Sequence, residues 1–266
     1  MRRIVVVATA FAVLIAAVSA YAATGGLNDY SGSNLKFAPN KAGSAKKPSA
    51  ISFTENYKAN GTNGNRTAPL SDITTKLYGV VTNPKPFPTC SQAKIAAAKS
   101  DASCPKGALI ATGAITAIVG PTASQANGAP GSASCDPLLH AWNGGPGKVV
   151  FFFVDQDTAH QCYNGVITTG SVGPFVGKVK TVGKTLVMDT PIPASVSFPV
   201  SGLEGSLTSE TLHFTNKTTK VHGKTVNLLQ SVGCKNGKRP YSVTFTASEP
   251  GGAPQSDTVS GTQKCS

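Results

Sequence analysis

The chain has 266 residues, of which 40% are hydrophobic, 7% aromatic and 14% charged, and its formal net charge is +12. That is enough apolar material for one large or two small cores, and too little charge for a charge-extended disordered chain or an array of solvated helices. Glycine (28) and proline (18) are abundant but lack the three-residue period of collagen.

From the N-terminus, Arg2 and Arg3 precede an apolar run over residues 4–18 that ends in the small-residue motif Ala20-Tyr21-Ala22. This is the pattern of a secretory signal peptide over residues 1–23, since the run is shorter than the roughly 20 apolar residues of a spanning helix. Cleavage removes two arginines, takes the charge from +12 to +10, and leaves no later stretch of transmembrane length. The mature chain is therefore expected outside the cytoplasm, secreted or in the cell envelope. Residues 24–49 are rich in Gly, Ser, Asn, Ala and Lys without sustained period and read as a flexible basic spacer. The remainder, 50–266, is expected to form a single β-sandwich domain.

Within that domain, strands are predicted over 51–58 and 70–82, separated by the glycine-rich stretch 60–65. A short helix follows between Cys90 and Cys104, with Ser91 as its N-cap. Residues 109–119 and 149–154 are apolar on both faces, as in central strands covered on both sides. The run Asn143-Gly144-Gly145-Pro146-Gly147 suits a chain reversal, which makes 138–142 and 148–154 a hairpin. Further on the period is two: Val196, Phe198 and Val200, then Leu212 and Phe214, then Tyr241, Val243 and Phe245 alternate with polar residues. Short strands punctuated by turns, with one short helix, predict an all-β, antiparallel β-sandwich.

Six cysteines, Cys90, Cys104, Cys135, Cys162, Cys234 and Cys265, follow the signal peptide. An even count in an exported chain reads as three disulfides, and the lack of any C-x-x-C pair argues against a zinc ribbon or a thioredoxin-type site. Sequential pairing is favoured: Cys90 and Cys104 bracket the short helix, Cys234 and Cys265 end two strands, and Cys135 is left with Cys162.

The segments Phe87-Pro88-Thr89-Cys90, Cys104-Pro105-Lys106-Gly107 and Trp142-Asn143-Gly144-Gly145, with the closing strand and Cys265, resemble uncharacterised exported β-rich proteins of high-GC bacteria. The resemblance spans about residues 70–265. It implies an exported β-rich domain and carries no functional residues across, because the family has no assigned activity.

Chemistry-bearing patterns are sparse. No serine has the Gly-x-Ser-x-Gly context of a hydrolase elbow, and His140, His160, His213 and His222 have no metal-ligand spacing. No metal and no cofactor are expected. Asp155-Gln156-Asp157 reads as an acidic turn rather than a calcium loop. Among Asp136, Asp155, Asp157, Asp189, Glu204 and Glu210, no pair is singled out as a glycosidase pair. Trp142, the single tryptophan, is either a sugar-stacking platform or a core plug. Nucleic acid is excluded as a partner because only two arginines remain after cleavage and no reading motif is present. The expected function is that of a secreted, non-enzymatic, envelope-associated or extracellular binding or structural protein, with an anionic envelope polymer or glycan as partner. The alternatives are a carbohydrate-binding module using Trp142 and a glycan-directed hydrolase on the same scaffold.

Overall fold

The computed structural model describes residues 26–265; the segment 1–23, expected from its sequence to be a signal peptide, lies outside the described residues. Eleven strands form the path of one antiparallel sheet: β1 (Asn34–Phe37), β2 (Phe53–Lys58), β3 (Leu70–Tyr78), β4 (Leu109–Pro121), β5 (Leu138–Asn143), β6 (Lys148–Val154), β7 (Phe175–Val182), β8 (Thr185–Pro191), β9 (Leu203–Phe214), β10 (Lys238–Ala247) and β11 (Gln255–Lys264). Their order across the sheet is β11-β10-β3-β8-β7-β6-β5-β4-β9-β2-β1, and the short strand Ala133–Cys135 adds to β4. The two halves pack face to face as a sandwich around one apolar core, and the sheet curls until β1 and β11 lie side by side, so the sandwich is nearly a barrel.

Side chains close the gap between those edges. The Gln263 amide on β11 accepts from the Phe37 backbone N–H (2.8 Å) and donates to its carbonyl (3.0 Å), as a neighbouring strand would. Asn40 donates to the Lys264 carbonyl at 2.8 Å just below. Each contact satisfies a group that an open edge would leave exposed. Beside the seam, Arg239 is fully buried; its guanidinium donates to Asn40 Oδ1, Ser231 Oγ and the carbonyls of Tyr78, Gly233 and Lys41, and lies 5.5 Å from the Phe37 ring.

Over residues 26–49, the described part of the segment 24–49, this seam corrects the reading of a flexible spacer. Tyr30, Leu35 and Phe37 are core residues, and Tyr30 stacks on Phe245 with ring centroids 4.1 Å apart. Asn28 anchors the segment by donating to Tyr30 Oη and the Ala68 carbonyl and accepting from the Ala68 N–H. Low overall hydrophobicity concealed three large side chains, each contributing roughly 1.5–3 kcal/mol on burial.

Of the two strands expected to be covered on both faces, β6 is, whereas β4 leaves Thr112 and Thr116 of its outer face exposed. On β6, Val149, Phe151 and Phe153 enter the main core, while Val150 and Phe152 pack outside with Trp142, Ile95 and the Cys90–Cys104 disulfide. The cover there is α1 (Gln92–Ala98), started by Ser91 Oγ accepting from the Lys94 N–H. The β5–β6 hairpin has the predicted turn, with Gly145 at φ 97° and Gly147 at φ 73°, values an L-residue avoids. All three disulfides pair sequentially: Cys90–Cys104, Cys135–Cys162 and Cys234–Cys265. One predicted strand is absent, since residues 194–197 instead form the single-turn helix α3 (Ala194–Ser197). With α2 (Thr169–Val172) it caps one end of the curled sheet, where Ser195 Oγ donates to the Val172 carbonyl at 3.1 Å.

Candidate functional site

Beneath that cap lies a cavity of about 120 Å³, comparable with the engineered cavity of ~150 Å³ that binds benzene. Its walls are mostly apolar, with Ile115, Leu139, Phe151, Phe175, Met188 and Leu207 among them. The cap contributes Ile167, Val172, Val196 and Pro199, and the Cys135–Cys162 disulfide tethers its near side. Into this lining project Glu55 and Tyr57 of β2, Thr75 of β3 and Glu210 of β9.

Two local features bring the glutamates inside. On β2, strict alternation turns Phe53, Glu55 and Tyr57 to the core and Thr54 and Asn56 away from it. On β9, a bulge at Thr208 switches the parity. Before the bulge, Gly205 and Leu207 line the cavity while Glu204 and Ser206 are buried on the outer side; after it, Glu210, Leu212 and Phe214 face inward. Glu55 pairs with Leu212 and Tyr57 with Glu210, so the two carboxylates are diagonal neighbours, roughly 7 Å apart at their β-carbons.

The surroundings give these groups unusual chemistry. Tyr57 Oη and Thr75 Oγ1 lie 3.0 Å apart, joining β2 to β3 across the lumen. Glu55 is 2% exposed and its Oε1 has no hydrogen-bond partner. Burial pushes its carboxyl up to about 8; the neighbouring Glu210 charge adds to this, and hydrogen bonding to Tyr57 and Thr75 opposes it. Burial alone raises Glu210 to about 7. The Tyr57 phenol is likewise pushed well above its ordinary value, first by burial and then by the two carboxylates. Near neutral pH the pair thus retains at least part of its proton complement.

The outward glutamate of β9 offers a contrast. Glu204 is as buried as Glu55, yet it is bonded at 3.0 Å to Arg66, whose guanidinium also donates to the carbonyls of Pro121, Ser124 and Ala126. Among the described residues no such cation reaches Glu55 or Glu210.

Apart from Glu210, Cys135 and Cys162, which line the cavity, the residues singled out from sequence are placed elsewhere. Trp142 is 5% exposed, and its indole N–H donates to Asp101 Oδ2 at 3.1 Å; it is buried as the core-plug reading expects, but in the outer cluster beneath α1 with Cys90–Cys104 rather than in the sandwich core near Cys135, and it offers no platform to a sugar. His140 Nδ1 shares the same carboxylate oxygen at 2.7 Å. Asp157 closes an acidic turn on the N–H groups of Ala159 and His160. His213 meets Thr54 at 2.8 Å on the outer surface, away from the cavity. The six cysteines serve the disulfides, and among the described residues no cluster of His, Cys, Asp and Glu could hold a metal ion. Nor, among those residues, is any helix long and apolar enough to cross a membrane. Comparison with protein-family models, with curated proteins and with solved structures finds no match.

The sequence does not single out Glu55, and it offers Glu210 without a partner. Phe53-x-Glu55-x-Tyr57 carried a usable signal, a carboxylate on the apolar face of an alternating strand. The Glu210 signal was hidden by the bulge.

Proposed function

We propose that this protein is a non-enzymatic binding protein that holds a small apolar molecule in the lumen of its curled sheet and works outside the cytoplasm. The observation that carries the reading is the capped apolar cavity whose lining includes two carboxylates that, among the described residues, have no cation partner. A mostly apolar concavity with few convergent polar groups is the usual form of a small-molecule site. The three disulfides and the N-terminal export pattern support an oxidising compartment. A glycan would need far more hydrogen-bonding groups than this lining supplies, and neither the anionic-polymer nor the glycan partner gains support from the fold.

The reading is tested by calorimetric titration with toluene, a neutral ligand of suitable size, against the natural chain and Ala117→Phe. Ala117 lines the cavity, so the larger side chain occupies the space. Saturable binding to the natural chain, lost in Ala117→Phe, is the expected result; no binding to either removes the proposal.

A further inference from the structure

Resting on that reading, we infer that the ligand is a small apolar amine whose ammonium group sits between Glu55 and Glu210. Three observations lead there. First, the two carboxylates, once ionised, can only accept hydrogen bonds, and Glu55 Oε1 has no partner, whereas Ser197 Oγ already donates to the Leu70 carbonyl at 2.6 Å and Tyr57 and Thr75 engage each other. A ligand group that completes the ionised pair must donate hydrogen bonds. Second, the chain supplies Arg66 to the equally buried Glu204 and, among the described residues, no cation to the lumenal pair. A buried carboxylate left without a cation is costly, and a ligand ammonium would relieve that cost. Third, the two carboxylates are diagonal neighbours across one strand pair, a spacing one ammonium, with three donors, can bridge.

The environment of the pair restricts what else could titrate with it. The ionisable groups turned towards Glu55 and Glu210 are each other and Tyr57; the strands around them present Leu35 (β1), Thr75 (β3), Ile115 (β4) and Met188 (β8). In the empty cavity these carboxyls are partly protonated at neutral pH, so an entering ammonium takes the place of a proton, which leaves for solvent. Affinity must then fall as the pH is lowered and both carboxyls fill. With Glu210 at about 7, the ionised fraction drops roughly fifty-fold between pH 7 and pH 5, and amine affinity should drop with it.

The test is calorimetric titration of the whole protein with benzylamine, benzyl alcohol, benzoate and toluene at pH 8 and pH 5. Benzylamine is expected to bind at least tenfold more tightly than benzyl alcohol at pH 8, with net proton release at pH 7 and with that preference lost at pH 5. Benzoate is expected to be rejected. Glu55→Gln and Glu210→Gln should each erode the amine preference at least tenfold while toluene binding persists, which also shows that the variants fold. Equal binding of benzylamine and benzyl alcohol at pH 8, or benzylamine binding that survives Ala117→Phe, overturns the amine assignment and leaves the apolar cavity standing. Failure of all four ligands overturns both.

Discussion

Replacing Glu210 by glutamine should make the empty protein more stable at alkaline pH and leave it little changed at acidic pH, the reverse of the usual effect of losing a native carboxylate. The sign follows from proton counting. Glu210 titrates at about 7 in the folded chain against an ordinary 4.5, so between those values the folded state holds more protons than the unfolded one, and stability falls as the pH rises. Each pH unit of that interval is worth about 1.4 kcal/mol, which makes the full penalty on the order of 3 kcal/mol by pH 8.5. For Glu55, raised to about 8, the same reasoning gives on the order of 5 kcal/mol, part of it contingent on the charge of Glu210. In a chain of this size 3 kcal/mol corresponds to a shift of about 6–12 °C in Tm. Glutamine keeps the shape and abolishes the titration, so the informative quantity is the Tm difference between Glu210→Gln and the natural chain at pH 5 and at pH 8.5. A gap that opens towards pH 8.5 in favour of glutamine is expected. Parallel pH profiles would mean that the carboxyl is solvated and that the cavity is wet and open, which would refute the reasoning.

Three further outcomes test other parts of the structure. Asp101→Ala should cost roughly 1–3 kcal/mol in chemical denaturation because it orphans the buried Trp142 N–H, and most of that cost should disappear when Trp142→Phe is already present. Gln263→Ala should open the seam between β1 and β11, lowering stability by about 1–3 kcal/mol and speeding hydrogen exchange at the Phe37 amide, with exchange elsewhere in the sheet much less affected. Removing the Cys135–Cys162 bridge by paired serine substitutions should cost about 3 kcal/mol through the unfolded chain and loosen the cap, read as faster proteolysis around residues 163–172.

The architecture was legible wherever periodicity and covalent chemistry carry information. Alternation in 212–214 and 241–245, the doubly apolar runs of β4 and β6, the glycine turn after Trp142 and the spacing of the cysteines all correspond to observed elements. What escaped were features set by long-range pairing. The Phe37 edge is joined to Gln263, 226 residues away, and no local pattern in a Gly-, Ser- and Lys-rich stretch announces such a closure. The segment at 194–197 has strand-like alternation, but Pro193 and the cap position favour a helical turn, and Val196 reaches the cavity from there. The site was half legible. Glu55 sits on an apolar face that counting by twos reveals, whereas Glu210 shares the parity of the outward Glu204 and is turned inward by the extra residue Thr208. A carboxylate search that weighs each acid alone cannot find a pair that exists only through the register of two strands.

The most direct test of a ligand-holding lumen is methyl nuclear magnetic resonance on the protein during titration with toluene. Saturable shifts confined to Ile115, Leu139, Ile167, Met188, Val196 and Leu207, the residues of the cavity and its cap, are the expected result. Shifts restricted to exposed side chains such as Val166, Val182 and Val200, or none at all, would contradict it.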